Sequence, residues 1–134
     1  MNDTISKGNV LLIDDDKFLA DMYSMKFAKE NYTIEACLSV KDALTVLRGG
    51  FVPDVILFDL TMPEQDGFSF LQTLREEKLA PNAVKIALTN QSEDSEKQKA
   101  AELGATRYIV KASMIPSEVV NTVAEELGKR HGVS

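Results

Sequence analysis

Five short apolar runs, each followed by a stretch of helical period, constrain this chain more than any other feature. Asn9–Ile13 (NVLLI) is continuous and apolar, and three acids follow it at once, which predicts a buried strand opening into a loop. Tyr32–Cys37 predicts a second strand, with Ile34 and Ala36 on one face and Thr33, Glu35 and Cys37 on the other. Val55–Phe58, Val84–Leu88 and Thr106–Val110 complete the set. Val55–Phe58 is apolar throughout, as expected of a central parallel strand covered on both faces.

The intervening segments carry helix signals. From Lys17 to Lys29, Phe18, Leu19, Met22, Met25 and Phe27 approximate an apolar stripe and are expected in the core. Ser39 suits the N-cap of a helix running to Arg48, with Gly49–Gly50 as its stop. Asp66 suits the cap of a third helix carrying Phe68, Leu71 and Leu74, and Pro81 separates it from the fourth strand. A polar helix is expected from Glu93 to Leu103, with Gly104 just past its end. Pro116 fits the first turn of a last helix striped by Val119, Val120, Val123 and Leu127. Strands alternating with helices imply an α/β, doubly wound, five-stranded parallel sheet with helices on both faces, because parallel strands need right-handed crossovers. Ligands in such sheets bind beyond the carboxyl ends of the strands.

Composition narrows the function. A chain of 134 residues suits one domain, 1–134, with a core over about 8–128 and short polar tails at Met1–Lys7 and Lys129–Ser134. No apolar run approaches the roughly 20 residues that span a bilayer, and the amino terminus lacks the layout of a signal peptide. One cysteine, Cys37, allows no internal disulfide and suits a small core position, so a cytoplasmic location is expected. A net charge of −6 argues against direct nucleic-acid binding. The chain ends soon after the fifth helix, so no output domain is expected within it.

The carboxyl ends of the strands hold the chemistry. The first strand ends in Asp14, Asp15 and Asp16, the third in Asp59, the fourth in Thr89 and the fifth in Lys111. Carboxylates gathered this closely repel one another unless a cation intervenes. Mg²⁺, which takes one or two carboxylates, waters and a phosphate oxygen, matches that inventory. Lys111 and Thr89 offer an ammonium and a hydroxyl for phosphoryl oxygens. Together these parts suit phosphoryl transfer to a carboxylate. The sole histidine, His131, lies in the tail, so neither zinc ligation nor a Ser-His-Asp arrangement is expected. Asp16 is expected to cap the following helix, and Asp66–Gly67 to form a turn and helix start.

The segments VLLIDDD, VILFDLTMPEQDG, ALT and GATRYIVK, with DLTMPEQDG from Asp59 to Gly67 the most specific, resemble the receiver domains of two-component response regulators. The resemblance covers about residues 8–128 and implies a flavodoxin-like sheet of order 2-1-3-4-5. It implies that Asp59 accepts the phosphoryl group, that Asp15 ligates Mg²⁺ directly, and that Asp14 acts through a water. The backbone carbonyl of Thr61 is implied as a further metal ligand. Lys111 is implied to bind the phosphate, Thr89 to hydrogen-bond it, and Tyr108 to be the aromatic switch residue. The implied donor is a phosphohistidine on a sensor histidine kinase or a histidine phosphotransfer protein. A downstream protein is implied to read the helix 4–strand 5–helix 5 surface, which includes the polar stretch Glu93–Lys99. Such a protein is a phosphoacceptor that promotes its own phosphorylation and dephosphorylation, not a metabolic enzyme.

Two positions depart from the family pattern. Ala112 follows Lys111 where proline with a cis bond is common, and a cis bond before alanine costs about 2.5–4 kcal/mol. A trans bond, or a strained cis one, is therefore expected there. Asn90 replaces a very small residue beside the acceptor, and Thr61 and Gln91 flank the reaction path. These departures keep open a receiver-like interaction module with weak or no phosphorylation. An aspartyl-nucleophile phosphatase would want an acid where the chain has Thr61.

Overall fold

The computed structural model describes residues 6–62, 65–90 and 93–130, with Arg130 described by its backbone alone. His131, Gln91 and the outer parts of both tails lie outside the described residues. Five strands, β1 (Asn9–Ile13), β2 (Thr33–Cys37), β3 (Val55–Phe58), β4 (Val84–Thr89) and β5 (Arg107–Val110), alternate with five helices. The helices are α1 (Lys17–Lys29), α2 (Val40–Arg48), α3 (Gly67–Glu77), α4 (Asp94–Glu102) and α5 (Pro116–Arg130). The strands form one parallel sheet of order β2-β1-β3-β4-β5. Fold class and strand order are those expected.

Side chains alternate across each strand, so the sheet divides the core in two. Leu11, Ile13, Ile56 and Phe58 pack with α2 and α3. Val10, Leu12, Val55 and Leu57 pack with α1 and α5. Caps fix where the helices begin. Asp16 Oδ1 accepts from Leu19 N–H at 3.2 Å, Ser39 Oγ from Asp42 N–H at 3.1 Å, and Asp66 Oδ1 from Ser69 N–H at 2.8 Å. Gly104 sits past α4 at φ +115°, a left-handed position that suits glycine.

One expectation fails. Phe18 and Met25 are 76% and 74% exposed, and the buried face of α1 is Ala20, Tyr23 and Phe27. The apolar residues of α1 form a band broader than one face, and packing against β2 and α5 selects the 20-23-27 stripe. β2 keeps the expected alternation, with Ile34 on the α1–α5 side of the sheet and Cys37 on the α2–α3 side, although Ala36 is exposed and Ile34 only half-buried. β2 is an edge strand with β1 as its one neighbour, so its two faces are covered unequally. Among the described residues no helix is long and apolar enough to cross a membrane.

Candidate functional site

Parallel register brings the expected residues to one edge. Ile13 pairs with Phe58, so the next residues, Asp14 and Asp59, leave the sheet side by side. Backbone bonds hold both: Asp14 N–H donates to Cys37 O at 3.1 Å and Asp59 N–H to Ile13 O at 3.0 Å. Thr89 pairs with Val110, and Lys111 follows immediately. A cleft of about 290 Å³ results, walled by Asp14, Asp15, Asp59, Thr61, Thr89 and Lys111, with Asp16, Leu19 and Asn90 beside them.

Lys111 is the centre of its electrostatics. Its Nζ donates to Asp59 Oδ2 at 2.9 Å and lies 2.7 Å from Asp14 Oδ2. The second contact is an ion pair without good hydrogen-bond geometry, so the buried Asp14 Oδ2 has no directed donor. Asp14 Oδ1 accepts from Asp16 N–H at 3.0 Å, and Asp59 Oδ1 accepts from Thr61 N–H at 3.1 Å. Asp14 is 1% exposed and Asp59 6%, whereas Asp15 is open to solvent. Burial pushes the Asp14 carboxyl above its ordinary range, although Lys111 and the Asp16 N–H pull it down. Burial would depress the Lys111 ammonium, but Asp14 and Asp59 outweigh it and hold the amine above its usual value.

This donor set fits a hard divalent cation. Carboxylate oxygens of Asp14, Asp15 and Asp59 lie within 4.8 Å of one another, and one of them is buried without a directed donor. Oxygen-only donors, one exposed acid and room for water are what Mg²⁺ accepts.

Thr89 is fully buried at the cleft wall. Tyr108 does not line the cleft. It is half-buried on β5 against the α2–α3 core, with Lys97 Nζ 5.8 Å from its ring centroid. Burial, then Glu96, Glu93 and Asp59, raise its phenol above the ordinary range. The Lys111–Ala112 bond is trans, since no cis peptide occurs among the described residues. Lys111–Ser113 form a 3-10 turn, and Lys111 still reaches both carboxylates.

One residue of the site escaped sequence reasoning in part. Gly67 begins α3 as expected, but it also packs on the backbone that follows β3. A Cβ at Gly67 would collide with the Asp59 carbonyl oxygen and meet Leu60 Cα at 3.0 Å. Its N–H donates to Leu60 O at 3.1 Å. The glycine in DLTMPEQDG was visible, whereas the close approach belongs to the fold. Leu19, on the cleft wall, had no signal beyond its place in the α1 band.

Comparison with known proteins gives the same picture. Residues 10–124 match the family described as the response regulator receiver domain. The chain is 27% identical to an uncharacterised 14.6 kDa protein of Leptolyngbya boryana, over 91% of this chain and 92% of that one. It is 32% identical to the transcriptional regulatory protein ResD of Bacillus subtilis, over 88% of this chain and 47% of ResD, so it spans about half of that relative. Among solved structures, the receiver domain of the Francisella response regulator 1452 superposes with a TM-score of 0.81 at 29% identity, covering 93% of this chain and 99% of that one. A CheY-like receiver protein from Methanospirillum hungatei superposes with a TM-score of 0.85 at 21% identity, over 98% of this chain and all of that one, a likeness of fold.

Proposed function

The chain belongs to the response regulator receiver domain family of two-component systems, and from that premise we propose that it is a switch phosphorylated on Asp59 by a phosphohistidine donor. The observation that carries this reading is Lys111 Nζ set between Asp59 Oδ2 at 2.9 Å and Asp14 Oδ2 at 2.7 Å in an acidic cleft. Thr61 N–H on Oδ1 and Lys111 on Oδ2 fix the orientation of the Asp59 carboxylate before any donor arrives. A carboxylate oxygen of Asp59 attacks the phosphorus, the donor's N–P bond breaks, and its electron pair returns to the imidazole nitrogen. The product is an acyl phosphate. Lys111 then offers its charge to the phosphoryl oxygens, and Thr89 its hydroxyl.

Asp15, Asp59 and the Thr61 carbonyl would hold Mg²⁺, with Asp14 acting through water; when bound, the ion offsets the negative charge of phosphoryl group and carboxylates. The trans Lys111–Ala112 bond leaves Lys111 in reach of Asp59, which favours this reading over a receiver-like module that accepts no phosphate. Thr89 and Tyr108 relay the change to the α4–β5–α5 surface, where a downstream protein reads it. The donor is a sensor histidine kinase or a histidine phosphotransfer protein, and the cytoplasm is the compartment that fits both. No direct nucleic-acid contact and no membrane contact belong to this reading. The domain promotes its own phosphorylation and dephosphorylation and is not otherwise an enzyme.

The test is incubation with Mg²⁺ and a phosphohistidine donor. Wild type should acquire acid-stable, base-labile label that Asp59→Asn lacks. A wild-type chain that neither labels with any candidate kinase nor binds beryllofluoride with Mg²⁺ sinks the reading.

A further inference from the structure

The geometry points to a second binding site, an apolar cleft with a basic rim at the amino edge of the sheet, which takes a small amphipathic anion such as a medium-chain carboxylate. The cleft lies between the end of α3, the start of β4 and the end of α4, and has a volume of about 390 Å³. That falls within the range of roughly 300–1,000 Å³ typical of small-molecule pockets. Leu71 and Leu74, both buried, lie at its base, and Leu79 and Leu103 flank it half-buried. The apolar surface it offers is that of Leu79, Leu103 and the exposed Pro81.

Charge decides what the cleft takes. Every ionisable residue lining the cleft is a cation (Arg75, Lys78 and Lys85), in a chain with 21 acids against 15 lysines and arginines. A negative head group is complementary there, and a cationic ligand is repelled. Two of the cations also shape the walls. Arg75 Nη2 donates to Glu102 O at 3.0 Å and ties α3 to α4. Lys85 Nζ donates to Ala80 O at 3.1 Å and to Ala83 O at 3.0 Å, bracing the loop that forms the rim. The Lys78 N–H donates to Arg75 O at 3.3 Å, but its ammonium makes no hydrogen bond or ion pair among the described residues, and this exposed group is placed to meet the head group.

The rim is also strained. Lys78 at φ +56° and Ala80 at φ +46° are both left-handed without being glycine. Side chains rarely adopt that region, and it persists where surrounding contacts over-determine it, as at ligand clamps. Here the Lys85 bond to Ala80 O supplies such a contact. The left-handed Lys78, the half-buried Leu79 and Leu103 and the one-sign charge coincide in a single concavity. The tail of the ligand lies on the leucines, and its head faces Lys78.

The experiment is an NMR titration of the methyl-labelled full chain with octanoate, octan-1-ol and acetate. Octanoate is expected to give saturable shifts at Leu74, Leu79 and Leu103, octanol to bind roughly tenfold more weakly, and acetate to give none. Lys78→Ala should weaken octanoate by roughly threefold, the scale of an exposed ion pair, and leave octanol unchanged. Leu103→Trp should block both ligands; if it unfolds, Lys78→Glu, at an exposed position, tests the head group in its place and should weaken octanoate alone. Equal affinity for the alcohol and the acid, shifts scattered over other surfaces, or no saturation overturns the proposal. Beryllofluoride binding at the acidic cleft is measured on the same samples, so loss of one site is distinguished from loss of the other.

Discussion

Two charge clusters in this molecule balance the same forces and reach opposite results. On the β5–α5 surface, Glu126 accepts from Arg107 Nη1 at 2.9 Å and from Lys129 Nζ at 3.1 Å. Burial alone would raise the Glu126 carboxyl, but the two cations outweigh it and hold it below the ordinary carboxylate range. In the acidic cleft, burial also opposes the charge of Asp14, and there burial wins. The cause is stoichiometry and depth. One lysine faces Asp14 and Asp59 in the cleft, while Glu126 has two cations at the edge of the solvent. The Glu126 cluster satisfies its charges; the acidic cleft leaves them in conflict, as sites built for chemistry commonly do.

The sharpest way to break this comparison is Asp59→Asn, which should reduce phosphoryl labelling to background while leaving the fold intact by circular dichroism. Next in size is Gly67→Ala, whose methyl must displace the Asp59–Leu60 backbone. It should cost about 1–3 kcal/mol in denaturant unfolding and weaken Mg²⁺ binding by calorimetry, because the Thr61 carbonyl moves with that backbone. Asp14→Asn should raise stability without Mg²⁺, since a buried charge opposed by its surroundings is removed. The same variant should weaken Mg²⁺ binding, and a loss of metal-free stability instead would place Asp14 with the satisfied cluster.

Glu126→Gln should act in the other direction and more weakly, lowering stability by roughly 0.5–1 kcal/mol because solvent screens the pair. Its pH dependence follows from the sign of the shift. A carboxyl lowered in the folded state contributes stability above its unfolded value, and that contribution is lost as the pH falls through the folded value. The difference between wild type and Glu126→Gln should therefore be full at neutral pH and close progressively below about pH 4.5. Thermal unfolding from pH 3 to 7 checks it.

Much of the fold was legible because period and punctuation are local. Continuous apolar runs such as Val55–Phe58 announce strands, and Ser39, Asp16 and Asp66 mark helix starts by their capping chemistry. α1 was less legible: with Phe18, Leu19, Met22, Tyr23, Met25 and Phe27 in one helix, composition alone does not choose the buried face. Phe18 and Met25 proved exposed because the neighbours of α1 decided the matter. β2 alternates as its sequence indicates, with Ile34 and Cys37 on opposite sides of the sheet, but as an edge strand it lacks the cover that would bury either face fully.

By itself, the sequence determined the βα alternation, the acids, hydroxyl and ammonium at the strand ends, and thereby the family and an acidic site able to hold a cation. Those depend on residue type and spacing, which any chain displays before it folds. Tertiary structure alone decided that Lys111 sits between two carboxylates across a trans bond to Ala112, and that Gly67 touches the Asp59 carbonyl. It also decided that Lys78 and Ala80 bend in the left-handed region beside an apolar cleft with a basic rim. Each of these is a distance or an angle set by elements far apart in sequence, and only packing brings such elements together.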